Sequence, residues 1–150
     1  MAAADETHPV DARHLRSALE FAVLMAEEGQ KFKPPLPFPK GLQQYFKRDH
    51  LPVQALSRVR RLVERDDVFR QRISKGALPE LVDEIGRTWL TRPEGWQATV
   101  ARLAAEAEAA AEEAEAARQL KKAERRRLAA EQVAARTRAE LVVLQERLAE

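Results

Sequence analysis

The sequence has no cysteine, and this excludes two classes of site at once. Disulfide bonds and thiolate metal sites both need the cysteine sulfur, so neither can form in this chain. No apolar run approaches the roughly 20 residues that a membrane-spanning helix needs. Asp5 and Glu6 also fall where a secretory signal would be apolar. The sequence therefore predicts a soluble protein of the reducing cytoplasm with no membrane partner.

Glycines are few, and the residues that usually perform catalysis are not grouped. The five glycines stand far apart, so no glycine-rich loop is available to cradle a phosphate. The three histidines lack the spacing of metal ligands, and no serine lies in a nucleophile motif. The acidic pairs Asp66-Asp67 and Asp83-Glu84 occupy positions typical of helix starts and solvated faces. We therefore expect no enzyme activity, no metal and no other cofactor.

Aromatic residues make up only 5% of the chain, whereas alanine is abundant. Of the 27 alanines, 18 follow Gln97. Because alanine buries little apolar surface, the last third of the chain cannot form a core of its own. Three parts are predicted: a disordered N-terminus over residues 1–8, a helical domain over residues 9–96 and a long helix over residues 97–150.

Apolar residues recur at steps of three and four through the predicted domain, and no stretch alternates with period two. The pattern predicts an all-α domain of four or five short helices. Proline or aspartate is expected to open four of them, since both suit helix N-termini. The expected openings are Pro9, Pro52, Asp66 or Asp67, and Pro79.

Glycine and proline predict how the short helices are separated. Gly29 is expected to end the first helix in the left-handed conformation, and Gly76 to end the third. The connector over residues 33–39 contains four prolines and is expected to be extended. A short helical turn is predicted over residues 42–46.

No proline follows Pro93 and no glycine follows Gly95, which predicts a final helix of about 55 residues. At 1.5 Å per residue its length would be roughly 80 Å. It lacks a stop signal at its end, so we expect the chain to be a piece of a longer protein. Its apolar positions follow coiled-coil spacing with alanine in the middle, and a solvated single helix is the alternative. The predicted oligomerisation residues are Val100, Leu103, Leu120, Leu141, Leu144 and Leu148.

Charge on the long helix is divided into two blocks. Residues 104–117 carry five acidic side chains and no basic one, whereas residues 118–127 carry six basic side chains and one acidic. An antiparallel partner would lay each block on its opposite, and a parallel partner would bring like charges together. The pattern favours an antiparallel homodimer, or a basic block that contacts another ligand. Parallel pairing through the C-terminal leucines is the alternative.

Basic residues also dominate two segments of the predicted domain. Residues 29–48 combine basic and aromatic side chains without an acid, and arginines crowd residues 58–75. Basic side chains that neutralise phosphates supply most of the non-specific affinity for nucleic acid, which makes RNA the predicted partner. The alternative is that the aromatic residues are core and the bases only solvate helices. The predicted RNA-contacting residues are Arg58, Arg61, Arg65, Arg72, Arg118, Lys121, Lys122, Arg125 and Arg126.

Two tryptophans bracket an eight-residue motif where the last short helix should meet the long one. The simplest interpretation is that they fix the long helix onto the domain, and a binding pocket is the alternative. The residues of this structural motif are Trp89, Arg92, Pro93, Gly95 and Trp96.

Three segments together resemble the N-terminal region of actinobacterial NYN-domain proteins. They are Pro34-Pro35-Leu36-Pro37, the stretch from Arg60 to Ile73, and the Trp89–Trp96 motif, which is the most specific. In that family a small helical domain and an Ala/Glu/Arg-rich coiled coil precede a PIN-like NYN domain that is described as RNA-binding or ribonuclease-like. The resemblance covers roughly residues 10–150. It implies no catalytic residue in this chain, because the NYN active site lies on parallel strands.

The composition, the charge pattern and the resemblance lead to one functional prediction. We expect a non-catalytic module that binds RNA and holds two chains together. The alternative is a protein–protein adaptor or scaffold whose ligand is another protein and whose charge only maintains solubility.

Overall fold

The computed structural model describes residues 10–149, which form helices and connecting turns without any strand. The predicted all-α class is therefore confirmed. Two 3₁₀ helices, Ala12–Leu15 and Lys40–Tyr45, accompany five α-helices. These are α1 (Arg16–Gln30), α2 (Val53–Glu64), α3 (Asp67–Ser74), α4 (Glu84–Thr91) and α5 (Trp96–Ala149). The predicted disorder of residues 1–8 lies outside the described residues.

One apolar core joins the short helices. Each short α-helix turns most of its large apolar side chains inward, and burial of each such side chain contributes about 1.5–3 kcal/mol. The largest fully buried side chains are Leu15, Leu19, Leu42, Leu56, Val59, Val63, Phe69, Ile73, Val82, Trp89 and Leu90. Val100 and Ala104 extend this core into the first turns of α5.

The first helical turn begins after Asp11. Pro9, its predicted start, lies outside the described residues, and Val10 and Asp11 are not helical. The Asp11 carboxylate accepts a hydrogen bond from the Arg13 backbone N–H at 2.9 Å and so caps the 3₁₀ helix. Hydrogen bonds from the Arg13 side chain and backbone lower the pKa of Asp11 to about 2. A side-chain cap thus defines this start.

Gly29 does not end α1 as a left-handed residue, so that prediction is wrong. It lies within the helix and is buried. A Cβ atom at Gly29 would lie 3.3 Å from the Cβ of Leu36, and the Leu36 N–H donates to the Gly29 carbonyl at 3.0 Å. The small residue therefore serves the close approach of the proline-rich connector rather than the end of the helix.

Local signals predicted α2 and α3 correctly. Pro52 immediately precedes α2. The Asp66 carboxylate accepts from the Phe69 N–H at 3.0 Å and caps α3. Gly76 follows the end of α3, and its N–H donates to the Ile73 carbonyl at 3.0 Å.

The predicted start of α4 at Pro79 is wrong, because the helix begins at Glu84. The Asp83 carboxylate accepts from the Gly86 N–H at 2.9 Å and from the Ser17 hydroxyl at 2.9 Å. This cap satisfies a free helical N–H, which Pro79 cannot do. Leu81, in the turn before the helix, is 52% exposed.

The chain divides into two compact units, Met1–Glu106 and Ala107–Glu150. α5 contributes residues to both. In the second unit, every described residue up to Ala149 is exposed. Among the residues that the structure describes, no helix combines the length and the apolar character needed to cross a membrane.

Candidate nucleic-acid interface

Three of the predicted RNA-contacting arginines lie together on α2 and at its C-terminal cap. Arg58, Arg61 and Arg65 are exposed and line one shallow groove of about 360 Å³ with Gly41 and Gln44. None of the three makes an ion pair with a residue between 10 and 149. We call Arg58, Arg61 and Arg65 the arginine stripe.

The helical repeat explains why the arginine stripe faces outward. The stripe positions are separated by three and four residues, which places them on one side of α2. Leu56, Val59 and Val63 occupy the opposite side and are fully buried. At the other edge of the groove, a Cβ atom on Gly41 would lie 2.8 Å from the Cδ1 atom of Leu62. Glycine therefore allows the second 3₁₀ helix to pack tightly on α2.

The remaining arginines of α2 and α3 contact the domain itself. The Arg60 guanidinium donates to the Val10 carbonyl. Arg70 is buried, donates to the Leu90 carbonyl at 2.5 Å, and lies 3.7 Å from an Asp67 carboxylate oxygen. The guanidinium of Arg72 lies 5.2 Å from the centroid of the Phe69 ring and is half-buried. Arg72, although predicted to contact RNA, is thus separate from the arginine stripe.

A second basic surface lies on α5. Five basic side chains between Arg118 and Arg126 form it. At about 100° per residue, these side chains fall within one arc of about 140° around the helix axis. Arg118 is hydrogen-bonded to Glu115 at 2.5 and 3.0 Å, whereas the other four make no ion pair within the described chain. Hydrogen bonds from Gln119 and then Arg118 lower the pKa of the Glu115 carboxyl. We call this set the α5 basic face: Arg118, Lys121, Lys122, Arg125 and Arg126.

The predicted oligomerisation residues fall into two groups. Val100 is buried in the domain core and Leu103 packs against it, so these two contact their own chain. The other four are uncovered in the single chain. Their exposed fractions are 62% for Leu120, 53% for Leu141, 53% for Leu144 and 88% for Leu148.

Most aromatic residues around the proline-rich connector belong to the core. Tyr45 is buried, and the rings of Phe38 and Phe46 lie 5.5 Å apart. Phe32 is the exception, with 61% of its surface exposed. Base stacking on this segment therefore has a single accessible ring.

Arg92 organises the corner between α4 and α5. Its guanidinium lies 5.8 Å from the Trp89 ring centroid and 4.4 Å from the Trp96 ring centroid. A carboxylate oxygen of Glu64 lies 3.9 Å from the same guanidinium group. Burial lowers the pKa of Arg92, and the nearby charge of Arg70 lowers it further. The side chain therefore joins α2, α4 and the first turn of α5.

The backbone of this corner uses two left-handed residues. Arg92 has a φ of 50° and its N–H donates to the Thr88 carbonyl at 2.9 Å, which ends α4. Gly95 has a φ of 74°, and Pro93 lies between them. After Gly95 the chain enters α5 at Trp96, and the Trp96 N–H donates to the Pro93 carbonyl at 3.0 Å.

The same corner also borders a largely apolar cavity of about 430 Å³ that is open to solvent on one side. Trp89 and Trp96 are part of its wall, and Leu15 and Val100 add aliphatic surface. Charged groups reach it from α2, at Arg60 and Glu64. The two interpretations of the tryptophan motif, a structural corner and a pocket, are therefore compatible. The sequence favoured the structural corner.

Comparisons with known proteins return no match. No protein-family model, no curated protein and no solved structure matches the chain. Between residues 10 and 149, no three histidine, aspartate or glutamate side chains are grouped as a metal site would require.

Proposed function

We propose that this chain is a non-catalytic module that binds RNA and associates with a second copy of itself. The arginine stripe carries the proposal. Three exposed guanidinium groups lie on one side of α2 and its C-terminal cap, without acidic partners among the described residues, and this supports contacts with phosphates. The α5 basic face offers a second surface of the same chemistry.

Self-association is supported by what α5 leaves uncovered. Its exposed leucines at positions 120, 141, 144 and 148 have no partner within the described chain. The acidic and basic blocks complement one another only in an antiparallel pair. Two copies joined in this way would carry two arginine stripes, which raises the affinity for one RNA molecule through multivalency.

The resemblance to NYN-domain proteins supports the choice of RNA over other polyanions. In that family, a helical domain and a coiled coil accompany a nuclease-like domain. We propose the same role here, in which the module delivers RNA to a catalytic domain and performs no chemistry itself. The Trp89–Trp96 motif is the feature on which this part of the proposal depends most.

RNA titrations at several salt concentrations test the proposal. The variant R58Q/R61Q/R65Q removes the arginine stripe, and the control R136Q/R138Q/R147Q removes three exposed charges of α5 that lie outside the predicted RNA-contacting residues. Each phosphate contact contributes about 0.7 to the logarithmic salt slope for a single strand, so loss of the stripe should reduce the slope by about 2. The control should bind like the wild type.

Two results would contradict the proposal. One is RNA affinity that does not change with salt. The other is equal affinity for the stripe variant and its control, since both lose three positive charges and only one loses the predicted contacts. Charge reversal of Arg125 and Arg126 tests separately whether the α5 basic face contributes.

A protein–protein adaptor is the second candidate function. It is favoured by the apolar end of α5, where Leu141, Val142, Val143 and Leu144 are consecutive and each is at least 44% exposed. Such a segment has apolar groups on more than one side of the helix. An adaptor would show no RNA binding at low salt, and the titration above would detect this.

A further inference from the structure

The cavity at the α4–α5 corner combines flat aromatic walls with one carboxylate. Trp96 contributes to the wall, whereas Arg92, 4.4 Å from its ring centroid, does not line the cavity. Arg92 thus holds the indole in place from outside. Trp89 forms another part of the wall, and its indole N–H donates to Glu64 at 3.4 Å. The volume of about 430 Å³ lies within the range of small-molecule sites.

The Glu64 carboxylate retains capacity to accept hydrogen bonds. Its contacts are long: 3.4 Å from Trp89, 3.8 Å from Arg60 and 3.9 Å from Arg92. An ionised carboxylate offers about four lone-pair positions on two oxygens, and these contacts leave part of them free. A ligand that enters the cavity therefore meets a strong acceptor beside an aromatic surface.

Charge and polarity restrict the ligand. A cationic group would approach two guanidinium groups, those of Arg60 and Arg92, each within 4 Å of Glu64. An aliphatic side chain would desolvate the free lone pairs of Glu64 without replacing their hydrogen bonds, which costs stability. A neutral planar group with N–H donors along one edge avoids both penalties. A nucleobase has these properties, and bases stack on aromatic side chains.

The carboxylate distinguishes among the bases. Guanine presents two adjacent donors, N1–H and N2–H, which match the two oxygens of Glu64. Adenine and cytosine each place an acceptor beside their amino group, and uracil flanks its one donor with carbonyls. Each of these three bases would therefore place an acceptor lone pair against a lone pair of the Glu64 carboxylate. A site with paired acceptors rejects ligands that lack the matching donors.

The cavity also adjoins the proposed phosphate-binding surface. Arg60 and Glu64 line the cavity, while the next residues along α2, Arg61 and Arg65, belong to the arginine stripe. Consecutive residues of a helix point about 100° apart, so one helix presents both surfaces side by side. A single strand can then place phosphates on the stripe and turn one base into the cavity.

We infer that the Trp89–Trp96 cavity is a guanine-binding pocket, in which a base of single-stranded RNA stacks on Trp96 and donates two hydrogen bonds to Glu64. The inference rests on the proposed RNA-binding function and adds base selectivity to it. The arginine stripe supplies affinity for any sequence, and the cavity selects guanine.

The test uses the full chain and labelled RNA nonamers. One nonamer is all uridine, and two carry a single central guanosine or adenosine. Guanosine should improve affinity about tenfold over the other two, the gain typical of a bidentate base contact. The variant E64Q should abolish this gain and retain binding to the all-uridine strand. The control E80Q changes the same charge at an exposed site outside the cavity and should keep the gain.

A second measurement separates this inference from the proposed function. Guanosine monophosphate should quench the tryptophan fluorescence of the wild type, adenosine monophosphate should not, and E64Q should respond to neither. Equal affinity for all three nonamers, with no response to the mononucleotide, would overturn the pocket while RNA binding stands. Quenching by guanosine monophosphate without binding of any nonamer would support the pocket and contradict the RNA function. Quenching by a leucine-rich peptide alone would assign the cavity to a protein side chain and overturn the inference.

Discussion

The absence of one side chain sets the distance between α4 and α1. A Cβ atom on Gly86 would lie 2.7 Å from the Cγ1 of Val82 and 2.9 Å from the Cβ of Ala18. Both neighbours are buried, so neither can rotate into solvent. Any side chain at this position must push the two helices apart.

We therefore predict that G86A destabilises the domain by about 1–3 kcal/mol, the usual cost of overpacking. G76A is the matched control, because its added Cβ would meet its nearest neighbour at an ordinary 3.7 Å. The control should change stability by less than about 0.5 kcal/mol. Urea unfolding followed by the fluorescence of the buried Trp89 measures both. Equal destabilisation by the two variants would show that the close approach is not the cause.

At single positions, the sequence indicates the exposure of Arg58, Arg61 and Arg65 better than it indicates the contacts of the structural arginines. The spacing of Arg58, Arg61 and Arg65, opposite an apolar face, is a local signal that a helical repeat makes readable. Arg70 gives no such signal. Its partner is the carbonyl of Leu90, 20 residues away, and only the packing of α3 against α4 brings the two together.

Helix starts were likewise predicted correctly where the capping contact is local in the sequence, and missed where it depends on a distant residue. α3 was predicted correctly because Asp66 caps it through a residue three positions ahead. The start of α4 was not, since Asp83 is held in place by Ser17, 66 residues earlier in the chain. The cavity between α2 and α5 is a further distant effect, and the tryptophan motif could only mark its position.

The left-handed residue at the end of α4 allows a test of backbone strain. Arg92 adopts a left-handed conformation with a φ of 50°, which costs a residue with a Cβ about 1 kcal/mol relative to glycine. Its guanidinium offsets this by contacting two indole rings. We predict the order of stability wild type, then R92G, then R92A, with about 1 kcal/mol between the two variants. Urea midpoints measure it, and an alanine variant as stable as the glycine variant would rule out backbone strain.

At the scale of the whole molecule, weak forces would decide how two copies pair. Alanine occupies most of the middle coiled-coil positions of α5. Pairing of two copies would therefore bury little apolar area for the length of the helix. Each exposed ion pair contributes only some tenths of a kcal/mol. Six bases facing five acids can still choose the antiparallel arrangement over one with like charges opposed. We expect a homodimer in the micromolar range that salt weakens.

Single cysteines identify the orientation, since the chain has none of its own. An antiparallel pair that crosses near residue 117 brings the two copies of that position together and separates the two copies of residue 148. We predict that A117C forms disulfide dimers on oxidation and that L148C does not. E80C, on the domain surface, measures the background of random collisions. Cross-linking at both helix positions would indicate a parallel pair, and cross-linking at neither a solitary helix.

The exposure of α5 has a consequence for hydrogen exchange. No described residue after Ala104 is buried, so nothing between residues 10 and 149 shields those amides beyond their own helical hydrogen bonds. These amides exchange through local fraying of the helix. The core amides of α1 to α4 exchange only when a larger part of the domain unfolds. Protection that appears in α5 only when concentration rises or ligand is added must therefore come from another molecule. Hydrogen exchange along α5 would therefore identify the residues that a partner molecule covers.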